Sequence, residues 1–402
     1  MMFKERIKTH HSAMSEGKKY VRGVAGVKEA LSEGRLDDPG NATIYVHVPY
    51  CSKICSFCNM RRTLQTPDRE LAPLIVRDIA QYASLPYIRD TRFDAVYFGG
   101  GTPTTLSAEE LVSILSAMRE HLHFTEDAEF TIETTVTELT QDKSDALVAA
   151  GVNRFSVGVQ TFDDRGRKSM NRTGTGDAAY KRLAALRQYK DVTVSMDLIY
   201  NYPGQTDEDL ERDLDRIAAL SLDGFSLYSL INMKEASIGE AQNEERDERF
   251  FMRIAQKMRG EGYEFLELTK MVKGDRYKYI MNRHRAADTL PLGAGAGGSV
   301  DSVALMTPVA VSEYASYVED FDQRQGMRFA KEYDEVTRFK GDLQTCRLPR
   351  NEALYRDREA YEKMRASLLE EGLIEPEEGG YRLTDAGIFW GNTISRKLSE
   401  LL

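Results

Sequence analysis

Short apolar runs rich in β-branched and aromatic residues recur along the chain, separated by longer stretches of helical periodicity. Residues 43–48, Thr-Ile-Tyr-Val-His-Val, open the series. Runs at 94–98, 129–133, 154–159, 192–200 and 224–228 predict five further strands. Between them 70–83, 108–121 and 207–220 read as helices. Strands alternating with helices imply a parallel sheet joined by right-handed crossovers. Six such units predict an α/β fold, a partial (β/α)6-type barrel. After 230 the rhythm changes. A highly charged helix is expected over 240–260, then a basic, tyrosine-rich stretch over 271–290 and a glycine loop at 292–298. From about 333 the pattern is helices followed by a hairpin with a glycine turn at 379–384, an α+β extension laid out like a winged helix. The expected organisation is a polar segment over 1–40 with one helical stretch at 24–32, a core over 41–232, an extension over 233–330 and the winged-helix-like part over 331–402.

Composition narrows the class. The 402 residues are 41% hydrophobic and 29% charged, as expected of a globular protein with a large core. A formal net charge of -10 argues against nonspecific nucleic-acid binding. No apolar run approaches the roughly 18 residues that span a bilayer, and the first twenty residues lack an apolar signal region. Four cysteines in so long a chain make a poor disulfide framework, so a reducing cytoplasmic setting is expected.

Three of those cysteines, Cys51, Cys55 and Cys58, share one ten-residue window with spacing C-x3-C-x2-C. Three thiolates in a tight loop can hold three irons of a 4Fe-4S cluster and leave the fourth open to a ligand. The competing reading is zinc, which in structural sites takes four ligands, usually from two C-x2-C-like pairs. The fourth cysteine, Cys346, is remote in sequence, and His47 lies within the first predicted strand. The loop also follows that strand, and in α/β barrels active sites sit at the C-terminal strand ends.

The cysteine spacing, with Phe57 before the last cysteine, resembles the radical SAM superfamily. The opening Tyr45-Val46-His47-Val48-Pro49-Tyr50-Cys51 is similar to that of its oxygen-independent coproporphyrinogen III dehydrogenase branch. So are Gly99-Gly100-Gly101-Thr102-Pro103-Thr104 after the second strand, Gly158-Val159-Gln160-Thr161-Phe162 with Asn171-Arg172, and Asp197-Leu198-Ile199-Tyr200-Asn201-Tyr202-Pro203-Gly204-Gln205-Thr206. In the last element Asn201 stands where relatives carry glycine. Alone, the glycine triplet reads as a tight turn. In this place it is expected to bring the backbone close to a bound amino acid.

The resemblance implies a 4Fe-4S cluster on Cys51, Cys55 and Cys58, S-adenosyl-L-methionine on the open iron, and a radical made by its cleavage. It further implies two SAM sites. Tyr45, Gly100 and Glu133 would contact the first; Phe57, Gly101, Thr102, Gln160, Arg172, Asp197 and Ser229 would line the second. No side chain is assigned as catalytic. A flavodoxin- or ferredoxin-type electron donor is the implied partner, with no nucleic acid and no membrane.

Within the branch, Met60 occupies the place of the dehydrogenases' fourth cysteine. Asn59 and the segment 222–228 look like the haem-utilisation methyltransferases, the anaerobilin synthases, which methylate haem, open its ring and free its iron. Haem is then the expected substrate, and its propionates need cations. Arg61 and Arg62 beside the cluster, or Lys273, Arg276, Lys278, Arg283 and Arg285 in the tyrosine-rich stretch, are candidates. A solvated basic loop is the equal alternative for the latter. His284 is a candidate haem ligand or proton donor, against the commoner role of a surface histidine. A haem carrier, or a methyltransferase of another aromatic substrate, are the rival readings.

Overall fold

In the computed structural model the described residues are 3, 5–8, 17–35, 39–230, 244–349 and 352–402. Thirteen strands form one sheet. They are β1 (Val21–Gly26), β2 (Ala42–Val48), β3 (Arg92–Gly100), β4 (His123–Thr135), β5 (Arg154–Gln160), β6 (Thr193–Tyr200), β7 (Gly224–Ser229), β8 (Glu264–Glu267), β9 (Lys270–Val272), β10 (Thr289–Leu292), β11 (Gly297–Val300), β12 (Val303–Met306) and β13 (Gln325–Phe329). Their order is β1-β13-β12-β11-β10-β2-β3-β4-β5-β6-β7-β9-β8. The run from β10 through β2 to β7 is parallel, and antiparallel strands extend it at both ends. A two-stranded hairpin, β14 (Ile374–Glu377) and β15 (Gly380–Leu383), stands apart.

The parallel strands are covered on both faces, which is why they read as nearly continuous apolar runs. In β2, Ala42, Ile44, Val46 and Val48 are fully buried, and Val96 and Phe98 of β3 continue the layer. The crossover helices bury one stripe each. In Ala108–His121, Leu111, Ile114, Leu115 and Met118 face the sheet at helical spacing. Its start is set by a capping box between Ser107 and Glu110, as the start of Asp207–Leu220 is by Thr206 and Asp209.

The six expected strands are β2 to β7. The expected helix over 24–32 is instead β1 followed by the one-turn helix Val27–Ala30, because Val21–Gly26 pairs with β13. The charged helix runs Glu244–Gly260; residues 240–243 lie outside the described residues. The tail has helices Glu332–Gln344 and Arg358–Glu370, then the hairpin, which turns at Gly379 with φ +78°. Among the described residues no helix is long and apolar enough to cross a membrane.

Candidate cluster and cofactor site

The cysteine loop hangs from the C-terminal end of β2. Its base is closed by two backbone bonds, Thr63 N–H to Pro49 O at 2.7 Å and Cys51 N–H to Thr63 O at 2.9 Å. Its outer part rests on the segment after β5. Ser56 N–H donates to Met170 O at 3.2 Å, and Asn171 Nδ2 donates to Ile54 O at 2.7 Å. Arg62 folds back on the loop, donating to Cys58 O at 2.7 Å and Met60 O at 2.6 Å. Each thiol has a polar or cationic neighbour. Thr102 Oγ1 lies 3.6 Å from Cys51 Sγ, and Arg172 Nη1 donates to Cys55 Sγ at 3.1 Å. Burial pushes the Cys58 thiol up, with Arg62 among the groups pulling it back, and burial likewise raises Cys51 against Thr102. Cys346 is buried and takes no part in the loop.

The glycine triplet ends β3 against this loop. Gly100 has φ +112°, and a Cβ there would meet the His47 ring at 2.6 Å. A Cβ on Gly101 would lie 2.4 Å from Tyr50 O. The chain itself therefore demands both glycines, where the sequence reading looked to a bound amino acid. Gly101 N–H and Thr102 N–H donate to Val48 O and Tyr50 O at 2.8 and 2.7 Å, stitching the turn to the entry of the cysteine loop.

A cavity of about 470 Å³ opens at these strand ends. Cys51, Cys55 and Cys58 line it, with Gly100, Gly101 and Thr102 from the turn after β3. Glu133 enters from β4, Gln160 and Arg172 from β5 and the segment beyond, Asp197 from β6 and Ser229 from β7. Phe57 forms an apolar wall with Ile199 and Leu230. Gln160 reaches its place through a left-handed backbone, φ +76°, at a register break between β5 and β6.

The two carboxylates are uncomfortable there. Burial raises Glu133 to about 7, although Tyr97 OH donates to its Oε1 at 2.5 Å. Burial also raises Asp197, with Lys270 the main opposing charge. Behind the cavity lies a charge network: Arg154 holds Asp275 through two bonds, at 2.9 and 2.8 Å, and Lys270 Nζ is 3.1 Å from the same carboxylate. Sequence reasoning missed this network, since its members are far apart in the chain and lack motif spacing. Tyr97 was visible only as one position of a buried strand.

Other expected site residues stand outside the cavity. Tyr45 lies behind it, its OH 2.9 Å from His47 Nδ1, and its ring stacks on Tyr97 and Tyr279. Arg61 does not line the cavity, whereas Arg62, Asn59 and Met60 do. Four cations of the tyrosine-rich stretch are engaged elsewhere. Arg276 pairs with Asp127, and Lys278 with Asp94 and Asp127. Arg283 bonds Tyr279 OH, and the Lys273 ammonium lies over the Tyr263 ring, while Arg285 does not line the cavity. His284 Nε2 sits 2.6 Å from Glu267 Oε1.

The site suits a cluster better than one ion. Among the described residues no three His, Cys, Asp or Glu converge on a single-ion position. Thiolates of a cubane bind separate irons and stand further apart. Arg62 and Arg172 supply positive charge beside what would be an anionic group. Ser229 Oγ and Arg172 Nε are buried at the cavity wall with no partner among the described residues, as expected of groups awaiting a polar ligand.

Fold and site together define a partial α/β barrel built to hold an iron–sulfur cluster and a polar cofactor at its C-terminal strand ends. The profile of the Radical SAM superfamily matches residues 45–217. The chain is 30% identical over 272 residues to the heme chaperone HemW of Lactococcus lactis subsp. lactis (strain IL1403), covering 65% of this chain and 70% of that protein. It is 29% identical over 382 residues to the anaerobilin synthase of Escherichia coli O157:H7, covering 90% of this chain and 85% of that one. Its fold superposes on coproporphyrinogen III oxidase (HemN) from Escherichia coli with a TM-score of 0.76 at 22% identity, covering 93% of both chains. The chain belongs to the radical SAM superfamily, in the branch of these relatives. That membership carries a 4Fe-4S cluster and SAM as cofactors.

Proposed function

We propose that this radical SAM enzyme methylates haem and opens the porphyrin to a linear tetrapyrrole, releasing iron under anaerobic conditions. The observation that carries the reading is the likeness to anaerobilin synthase over 90% of the chain. Asn59 and Met60, the two positions whose resemblance favours this reading over coproporphyrinogen oxidation, both line the cavity. The cavity volume is in the range of small-molecule sites.

Cysteines 51, 55 and 58 would hold the cluster, and the bound cofactors would supply the radical. The protein positions and shields. Tyr97 fixes Glu133, which would accept from a ribose hydroxyl or the ammonium of SAM. Lys270 and Ser226 oppose the burial that raises Asp197, which would face a second SAM together with Gln160, Arg172 and Ser229 Oγ. Phe57, Ile199 and Leu230 exclude water from that side. Arg62, at the cavity, is the cation placed for a propionate; Arg61 does not line the cavity, and Arg276 and Lys278 of the tyrosine-rich stretch are paired with carboxylates elsewhere. His284, bonded to Glu267, is assigned no haem-ligand role.

Anaerobic incubation with haem, SAM and a reductant should bleach the Soret band and release iron. Haem bound with an unchanged spectrum and no SAM consumed would favour a carrier, the reading that the likeness to HemW supports. Formation of 5′-deoxyadenosine with no haem binding would point to another aromatic substrate.

A further inference from the structure

Gln160 enters the cavity wall on a left-handed backbone, φ +76°, which a residue with a side chain keeps only where its surroundings over-determine it. Those surroundings converge on one side chain. Arg167, in the short helix Asp164–Ser169, is 1% exposed, and its guanidinium donates to backbone carbonyls of two segments. Its Nη1 reaches Val159 O at 2.7 Å and Thr161 O at 3.2 Å, one on each side of Gln160. Its Nη2 reaches Thr173 O at 2.6 Å and its Nε reaches Gly174 O at 2.9 Å, on the two residues that follow Arg172. The backbone closes the same unit, with Arg172 N–H donating to Arg167 O at 2.8 Å. A second grip on the turn comes from helix Asp207–Leu220, where Asp213 accepts from Phe162 N–H and from Thr161 Oγ1, each at 2.7 Å. Among the described residues no carboxylate bonds Arg167. Burial pulls its pKa down to about 10, so it stays charged near neutral pH. A buried cation held by carbonyls alone is unfavourable as packing. A planar fork that must hold two segments at once accounts for it.

We propose that Arg167 is a positioning residue for cofactor binding, with Asp213 as its second support: both hold Gln160, and Arg167 also sets Arg172 against it. Arg172 in turn reaches Cys55 Sγ at 3.1 Å and Gly158 O, so the clamp runs from the cysteine loop to the cavity wall. Neither Arg167 nor Asp213 lines the cavity, and their effect on a ligand passes through the residues they hold. The proposal rests on the reading of Gln160 and Arg172 as part of a second SAM site, and not on the identity of the substrate.

The test uses cluster-loaded full-length protein with the cluster left oxidised, so that no SAM is consumed. Equilibrium dialysis with methyl-labelled SAM gives the equivalents bound and the affinity of each. The parent should bind two. Arg167→Lys keeps the charge but cannot hold both segments with a planar fork. It should weaken the second equivalent about tenfold or more and leave the first as in the parent. In a Gln160→Ala background the same replacement should cost clearly less, because one of the residues it acts through is gone. A merely structural role predicts both equivalents weakened alike, or a loss that adds in full to that of Gln160→Ala. Either result would overturn the proposal, as would two unchanged equivalents. If Arg167→Lys loads less cluster, Asp213→Asn decides, since its helix carries no cysteine and the amide oxygen replaces two carboxylate acceptors. A selectively weakened second equivalent then supports the clamp, and two unchanged ones refute it. A parent that binds a single SAM would instead refute the two-site reading, and the proposal falls with it.

Discussion

Replacing Glu133 by glutamine should stabilise the cofactor-free protein while removing its capacity to hold SAM. The carboxyl group is half-buried at the cavity, and burial raises it from 4.5 to about 7 despite the Tyr97 hydroxyl. A raised carboxyl holds its proton more tightly in the folded than in the unfolded chain. Below about pH 4.5 both states are protonated and Glu133 has no pH-linked effect; above about pH 7 both are ionised and the folded state carries the full penalty. At 1.36 kcal/mol per unit the shift amounts to about 3 kcal/mol, and opening to the cavity reduces this to about 2 kcal/mol. Glu133→Gln should therefore raise stability by about 2 kcal/mol at pH 8. The gain should fade as pH falls from 7 towards 4.5. Urea unfolding of cofactor-free protein, with unchanged slope, reads this directly. A variant no more stable than the parent at pH 8, or a gain independent of pH, would refute the reasoning. SAM binding by calorimetry to cluster-loaded protein should be lost or weakened at least tenfold in the same variant, a drop of about 1.4 kcal/mol.

Substitution of Cys51, Cys55 and Cys58 together by alanine should abolish the brown chromophore and SAM cleavage; a retained iron–sulfur absorbance would disprove the cluster assignment. Gly101→Ala puts a Cβ 2.4 Å from Tyr50 O, in contact with backbone that cannot swing aside, and should cost about 1–3 kcal/mol by urea unfolding and impair cluster loading. Asp275→Asn removes the main counter-charge of buried Arg154 and Lys270, leaving Arg154 only the more distant Glu129, and should cost about 3–5 kcal/mol; a loss below about 1 kcal/mol would mean the network is not the buried support described.

The parallel core was legible because its strands are buried on both faces and its helices are amphipathic. Residues 43–48 and 154–159 fall within β2 and β5, and 108–121 and 207–220 match their helices. The antiparallel flanks were not. β10 to β12 are four residues each, too short for alternation to register, and β10 contains Pro291. β1 was mistaken for the start of a helix because its partner, β13, lies 300 residues on. Asn201, the departure from the glycine of relatives, has φ +60°, a left-handed position that asparagine tolerates best after glycine. Motif spacing brought together the cavity residues from Phe57 to Ser229. It could not reveal Lys270, Arg154 or Asp275, whose meeting depends on the packing of β5, β9 and the turn after it.

The central claim, that haem is the substrate and its ring is opened, is tested most directly by the mass spectrum of the tetrapyrrole after anaerobic incubation with haem, SAM and reductant. The account predicts an iron-free, ring-opened product carrying an added methyl group, with labelled methyl transferred from SAM. Haem recovered at its original mass, with active cluster and SAM turnover, would contradict it.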